Sequence, residues 1–265
     1  MIKLIVSDID GTLVEDGGNQ VDPRIFETVM RLKREKKIQF AAASGRQAAS
    51  IEYTFAPIRR EIFYLAENGA YLGCFGRNLF LHPMIQADAL ALAADISRDP
   101  RLEVLVSGPE CAYLEMKGTE SEKLLSWVEN GYHFRVRPVA DLREIADPII
   151  KVSAYRHDGI QDAAAYLQER YGERMKLTFS GDMWMDCMAK EVNKGEAVQT
   201  LQESLGILPE ETVAFGDQLN DLEMLGRAYY SFAVANARPE VRQAARFQAD
   251  RNTADGVLKI LQLFL

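Results

Sequence analysis

The sequence predicts an α/β protein: a parallel-sheet core interrupted by a smaller α+β insert. Three observations predict it. Short, continuously apolar runs alternate with helix-like stretches over residues 2–66. The same rhythm returns after Lys194. Between the two, from Met84 onward, paired strand-like segments stand between helices.

The elements follow in order. IKLIV (2–6) is a buried strand rich in β-branched residues, and a polar loop spans 15–20. Asp22-Pro23 opens a helix, since Asp caps free amides and Pro suits the first helical position. Ile25, Val29 and Leu32 then share a face. IQFAAAS (38–44) is a second strand, 46–55 a helix and IFYLA (62–66) a third strand. YLGC and LFLH form a hairpin around Gly76. Strand–helix repeats at this spacing require right-handed crossovers and a parallel sheet. In the insert, helices are expected over 88–97, 120–129 and 159–171. Strands are expected in LEVLVSG, AYLEMKG, PIIKVSAY, MKLTFS and MWMDCM, giving a mainly antiparallel sheet. The core resumes with a helix at 195–205, strand TVAFGD, helix 220–227 and strand SFAVANA. Helices at 239–247 and 255–264 close it. The reading is a discontinuous core, 1–83 and 187–265, around an insert at 84–186.

Composition narrows the function. The 265 residues carry 31 basic and 39 acidic side chains, a net charge of −8, which argues against nucleic acid as a partner. Cys74, Cys111 and Cys187 are few and scattered, which fits a reducing, cytoplasmic setting. The amino-terminal apolar run meets Asp8 too early for a signal peptide, and no apolar run reaches the roughly 18 residues of a membrane span.

Four short stretches carry chemistry. DIDGT puts Asp8 and Asp10 at a strand's carboxyl end, where α/β sheets bind ligands. A carboxylate there can attack phosphorus or hold Mg²⁺, and a second can donate and accept protons. SGR puts Ser44, Gly45 and Arg46 at a helix start, where a hydroxyl and free amides suit phosphate. GDQLND adds Asp217, Asn220 and Asp221. NKG adds Lys194 at the opening of a core helix. Taken singly, each stretch has a plainer use as a turn or helix cap. Together, clustered carboxylates repel and call for a cation.

In order and placement these four stretches resemble the motifs of the haloacid dehalogenase-like (HAD) phosphatase superfamily. The insert between the second and third, with ENGA (67–70) and the tail ANA…NTADGV, is similar to the subclass IIB cap of the Cof-type hydrolases. The resemblance covers essentially the whole chain. It implies a Rossmann-like core and a Mg²⁺-dependent phosphatase acting on small phosphorylated metabolites, sugar phosphates foremost, through an aspartyl-phosphate. Asp8 is then the nucleophile, Asp10 the acid and base, and Lys194 the neutralising cation. Asp8, the Asp10 carbonyl and Asp217 hold the metal, with Asp221 beside it. Ser44 and the Gly45 amide bind the phosphate, Asn220 contacts it or orients Lys194, Gly11 and Thr12 shape the first loop within the same phosphate- and substrate-binding set, and Arg46 and Asn68 face the cleft. An acid at position 10, rather than the lysine of the related ion pumps, favours rapid hydrolysis.

The resemblance also implies a cap that excludes water and selects substrate. There the residues say less. His133, Arg135 and Arg137 read as a solvated edge strand, and Trp184 as a core aromatic. Two alternatives stay open: a phosphomutase of the phosphomannomutase type, and a glycosyl-phosphoglycerate or sucrose-phosphate phosphatase. The expected assembly is a monomer or homodimer.

Overall fold

The computed structural model describes residues 1–15, 18–179 and 182–265. Part of the expected loop at 15–20 and Ser180, the last residue of MKLTFS, lie outside the described residues. The chain divides into two units, Met1–Phe80 with Asn193–Leu265, and Leu81–Val192.

The first unit is built on β1 (Leu4–Asp8). Leu4, Ile5 and Val6 are fully buried because strands cover both edges of β1 and helices its faces. Each such side chain contributes roughly 1.5–3 kcal/mol on burial. Helix α1 (Pro23–Arg31) begins as expected: Pro23 stands first, and the Asp22 carboxylate accepts from the Arg24 amide at 2.8 Å. Its last turns loosen into a π-type segment, Leu32–Lys36, ended by left-handed Lys37. Then come β2 (Gln39–Ala43), α2 (Ala48–Thr54), β3 (Phe63–Ala66), β4 (Tyr71–Cys74) and β5 (Arg77–Leu81).

The second unit contains α3 (Gln86–Ile96), β6 (Glu103–Ser107), β7 (Ala112–Glu115), α4 (Thr119–Gly131) and β8 (Val136–Val139). β9 (Lys151–Tyr155), α5 (Gln161–Tyr171), β10 (Met175–Phe179) and β11 (Trp184–Ala189) complete it. The chain then returns to the first unit through α6 (Lys194–Leu205), β12 (Thr212–Gly216), α7 (Leu222–Gly226) and β13 (Tyr230–Val234). α8 (Pro239–Ala244), β14 (Phe247–Ala249) and α9 (Gly256–Gln262) end it.

Among the described residues the first sheet runs β14-β13-β12-β1-β2-β3-β4-β5. From β14 to β3 it is parallel, and β4 pairs antiparallel with β3. β1 and β12 are neighbours, so the carboxyl ends carrying Asp8 and Asp217 lie side by side. The second sheet runs β10-β11-β9-β6-β7-β8. It is antiparallel except for the β7–β8 edge pair. The expected α/β class, with a parallel sheet and a mainly antiparallel second sheet, is what the chain adopts. No helix among the described residues is long and apolar enough to cross a membrane.

Of the boundaries that differ from the sequence reading, three shift by a structural cause. The expected strand MWMDCM forms β11, which runs one residue further to Ala189 opposite Met175, and the second unit spans Leu81–Val192 rather than 84–186. α2 starts at Ala48 rather than Arg46, because Gln47 is still extended and the Arg46 side chain turns back to Asp10. The expected helix over 239–247 stops at Ala244. Ala245 is extended, and Phe247–Ala249 becomes an edge strand on β13 whose Phe247 ring stacks on Phe232 at 5.2 Å.

Candidate active site

The first loop is a tight turn made by the residues that follow β1, Ile9 to Val14. The amides of Thr12, Leu13 and Val14 all donate to the Ile9 carbonyl, and Gly11 has φ 77°, a left-handed value that favours glycine. The turn leaves the Asp8 carboxylate buried and the Asp10 side chain about one-third exposed, at 30%. Thr12 does not point outward: its hydroxyl donates to Asp217 Oδ1 at 2.7 Å, tying this loop to the one after β12. Asn236 adds a second tie, its amide donating to the Gly11 carbonyl at 2.7 Å. Asn252 in turn donates to the Val14 carbonyl at 3.1 Å.

Lys194 stands at the start of α6, after its cap Asn193, whose side chain accepts from the Glu196 amide at 2.9 Å. Its ammonium is 1% exposed and bridges two carboxylates, 2.5 Å from Asp8 Oδ1 and 2.6 Å from Asp221 Oδ1. The other Asp221 oxygen accepts the Asp217 and Gln218 amides at 2.9 and 3.0 Å. Oxygens of Asp8, Asp217 and Asp221 come within 4.8 Å of one another. Burial pushes the Asp8 carboxyl well above its usual range. Asp221 adds to the rise and Lys194 opposes it, while Asp217 and Asp10 raise it further. Burial alone would lower Lys194, but the Asp221 and Asp8 carboxylates outweigh it and hold the ammonium charged.

Arg46 is buried and grips Asp10 with two nitrogens, Nε 2.8 Å from Oδ2 and Nη2 2.5 Å from Oδ1. Nη1 donates to Asn19 Oδ1 at 2.5 Å and Nη2 to the Gly18 carbonyl at 2.6 Å. The side chain expected to face substrate is therefore committed to Asp10 and the loop that follows it. The Ser44 hydroxyl accepts from the Arg46 amide at 3.1 Å and lies 3.5 Å from Asp10 Oδ2.

Asn68 is buried between elements. Its Oδ1 accepts from Asn220 Nδ2 at 3.0 Å, and its amide donates to the Ser44 carbonyl at 3.0 Å. Glu67, Asn68 and Gly69 all have positive φ (51°, 55° and 100°). The run holds the loop against the Ser44 strand end on one side and α6 on the other. A Cβ on Gly69 would stand 2.5 Å from the Asn193 carbonyl, and one on Gly45 3.2 Å from Asn68 Oδ1. The structure thus gathers Asp8, Asp217, Asp221 and Lys194 into one cluster. It gathers Asp10, Ser44 and Arg46 into a second, and joins Asn68 to Asn220. Sequence reasoning missed Asn19, Asn193 and Gln218. A capping Asn before Lys194 was the available signal for one of them. Gln218 donates to Asp217 Oδ2 at 3.1 Å.

The donor set is all oxygen, buried, and holds three carboxylates against one ammonium. That suits a small hard divalent cation and not a soft one. Beside it, the Ser44 hydroxyl and Lys194 suit an anion.

Comparison with known proteins agrees with this geometry. Residues 5–261 match the family of haloacid dehalogenase-like hydrolases. The Escherichia coli K12 protein named 5-amino-6-(5-phospho-D-ribitylamino)uracil phosphatase YbjI is 30% identical over 266 residues, covering 100% of this chain and 96% of the relative. A crystal structure from Eubacterium rectale superposes with a TM-score of 0.89 at 33% identity, covering 100% of this chain and 99% of that one. The HAD subclass IIB sugar phosphatase BT4131 superposes with a TM-score of 0.83 at 21% identity, covering 99% and 98%, and so shares the fold. With its sequence matched from the first strand to the last helix, the chain belongs to the haloacid dehalogenase-like hydrolase family.

Proposed function

We propose that the protein is a Mg²⁺-dependent phosphatase for small phosphorylated metabolites, with Asp8 as the nucleophile. The observation that carries the reading is Lys194, buried and shared between Asp8 and Asp221 beside Asp217. Phosphoryl transfer needs positioning and charge neutralisation more than covalent help. Asp8 and Asp217, with the Asp10 carbonyl, would hold the cation, which supplies charge neutralisation at the phosphate oxygens. Asp221 supports from outside, since both its oxygens are already engaged by Lys194 and backbone amides.

Each residue then has a defined task. Lys194 offsets part of the burial cost of the Asp8 carboxylate and fixes its direction. An Asp8 oxygen attacks phosphorus, and Asp10 gives a proton to the departing alcohol. Asp10 next takes a proton from the water that hydrolyses the aspartyl-phosphate. Ser44 holds phosphate oxygens together with the Gly45 amide. Arg46 orients Asp10 and does not itself meet the substrate. Sugar or sugar-alcohol phosphates are the proposed substrate class, in keeping with the phosphoribityl group named for the Escherichia coli relative.

The test is phosphate release from acetyl phosphate and a sugar-phosphate panel, with Mg²⁺ or EDTA, for wild type and Asp8→Asn. Mg²⁺-dependent release that disappears in the variant supports the reading. A folded wild type that releases phosphate from nothing in the panel refutes it.

A further inference from the structure

We propose that Asn236 and Asn252 are positioning residues. From the carboxyl-terminal part of the chain they lock the peptides around Gly11, and so set the direction of the Asp10 carbonyl, the backbone oxygen given above to the cation. The inference rests on that reading of the site and adds to it two side chains that act through the loop.

The need for them is local. Asp10 is followed by Gly11, whose φ of 77° lies in the left-handed region. Glycine has no Cβ to favour one conformation, so the peptides on its two sides turn about it freely unless they are tied. Each peptide is planar and trans, so its carbonyl points opposite to its amide. The Gly11 amide therefore aims the Asp10 carbonyl, and the Gly11 carbonyl moves with the Thr12 amide.

Both planes are pinned from far along the chain. The Gly11 amide donates to the Val14 carbonyl at 2.9 Å, and Asn252 Nδ2, 238 residues on from Val14, donates to the same oxygen at 3.1 Å. Asn236 Nδ2 donates to the Gly11 carbonyl at 2.7 Å, while the Thr12 amide reaches the Ile9 carbonyl at 3.3 Å. The two asparagines are also joined: the Asn252 backbone amide donates to Asn236 Oδ1 at 3.0 Å. Asn252 Oδ1 accepts from the Thr253 amide at 2.9 Å. Each side chain thus spends its NH2 and its oxygen on backbone groups, and turning either amide over would set oxygen against carbonyl. Asn252 is itself held in place. Its turn leaves no room for a Cβ on Gly256 against the Asp250 carbonyl, and Asp255 Oδ1 accepts from Arg24 Nη2 of α1 at 2.8 Å. A neutral amide suits the task. It fixes a carbonyl without adding charge to a cluster that already sets three carboxylates against one ammonium.

Thermal melts of the substrate-free protein in a Mg²⁺ titration read cation affinity, and melts in EDTA read the fold. Asn236→Ala and Asn252→Ala should each raise the apparent Kd for Mg²⁺ roughly tenfold, as expected for groups that orient a metal ligand from behind. The Mg²⁺ concentration for half-maximal acetyl phosphate turnover should rise by the same factor. KM for acetyl phosphate at saturating Mg²⁺ should stay near the wild-type value. A tie that serves only the fold would lower Tm in EDTA and leave the Mg²⁺ Kd alone. Asn252→Ser keeps a polar group in the turn but loses the reach to Val14, so it gives the same rise in Kd should an alanine variant not fold. A wild-type Kd in the folded variants overturns the proposal. If wild type binds Mg²⁺ but releases no phosphate, the phosphatase reading alone fails, and the melts still decide the asparagines. If Mg²⁺ does not shift the wild-type Tm, the reading of the metal site fails and the proposal with it.

Discussion

Arg46 Nε and Nη2 meet the two oxygens of Asp10 at 2.8 and 2.5 Å, a two-pronged ion pair with the guanidinium buried. The fork fixes the plane of the carboxylate, which a single ammonium cannot do. Arg46→Lys keeps the charge and loses the fork. It should lower kcat roughly 10- to 100-fold, since a misplaced acid or base forfeits part of its contribution. KM for a minimal donor such as acetyl phosphate should change little. Steady-state kinetics of the two proteins check this, and an unchanged kcat would remove Arg46 from the mechanism.

Lys194→Met should damage both stability and activity. It leaves Asp8 and Asp221 buried without their shared cation. Stripping one partner from a buried ion pair typically costs about 3–5 kcal/mol. Urea unfolding in EDTA should show a loss of that order, and Mg²⁺ should return part of it by neutralising the same carboxylates. Equal stability of the two proteins in EDTA would mean that the lysine carries no net charge balance.

Asp8 should make metal-free stability depend on pH. Its carboxyl is raised above the ordinary value by burial and then by Asp221. A group raised in the folded state contributes stability below its unfolded value, near 4, and loses it as pH climbs through the raised one. In EDTA the Tm of wild type should therefore fall relative to Asp8→Asn as pH rises from about 4 to 7. Mg²⁺ at a hundred times its Kd should stabilise wild type by about 2.7 kcal/mol, or some 5–10 °C for a chain of this size. Asp8→Asn should gain much less. Thermal melts across pH, with and without Mg²⁺, read both effects, and a Tm difference flat in pH contradicts the assignment.

Gly69→Ala should slow the reaction without touching the substrate. Gly69 has φ 100°, and an added Cβ would lie 2.5 Å from the Asn193 carbonyl. The β3–β4 connection must then shift away from the cap residue that precedes Lys194. Backbone strain of this kind costs of the order of 1–3 kcal/mol, and kcat should drop roughly tenfold, since small displacements of a positioned group are felt in the transition state. Kinetics beside a melting curve check it. A lowered Tm with full kcat would leave Gly69 a folding residue alone.

Much of this was legible in the chain. DIDGT, SGR, NKG and GDQLND each sit where a strand ends or a helix begins, because apolar runs and capping residues mark those points locally. The acidic cluster was legible for the same reason: neighbouring parallel strands bring their ends together. The edge strand at 247–249 was not, since three residues of an edge strand carry almost no periodic signal. Nor was the point near Val192 where the second unit ends, which contacts across the sheet define.

The sequence by itself determined the fold class, the family and the identity of the clustered acids, because these follow from local pattern and strand order. Only the tertiary structure decided what each polar side chain touches. Arg46 turns to Asp10 rather than outward, Thr12 to Asp217, and Lys194 to two carboxylates at once. Those choices are made by buried polar groups, which must find partners across elements far apart in the chain, and spacing along a sequence does not record them.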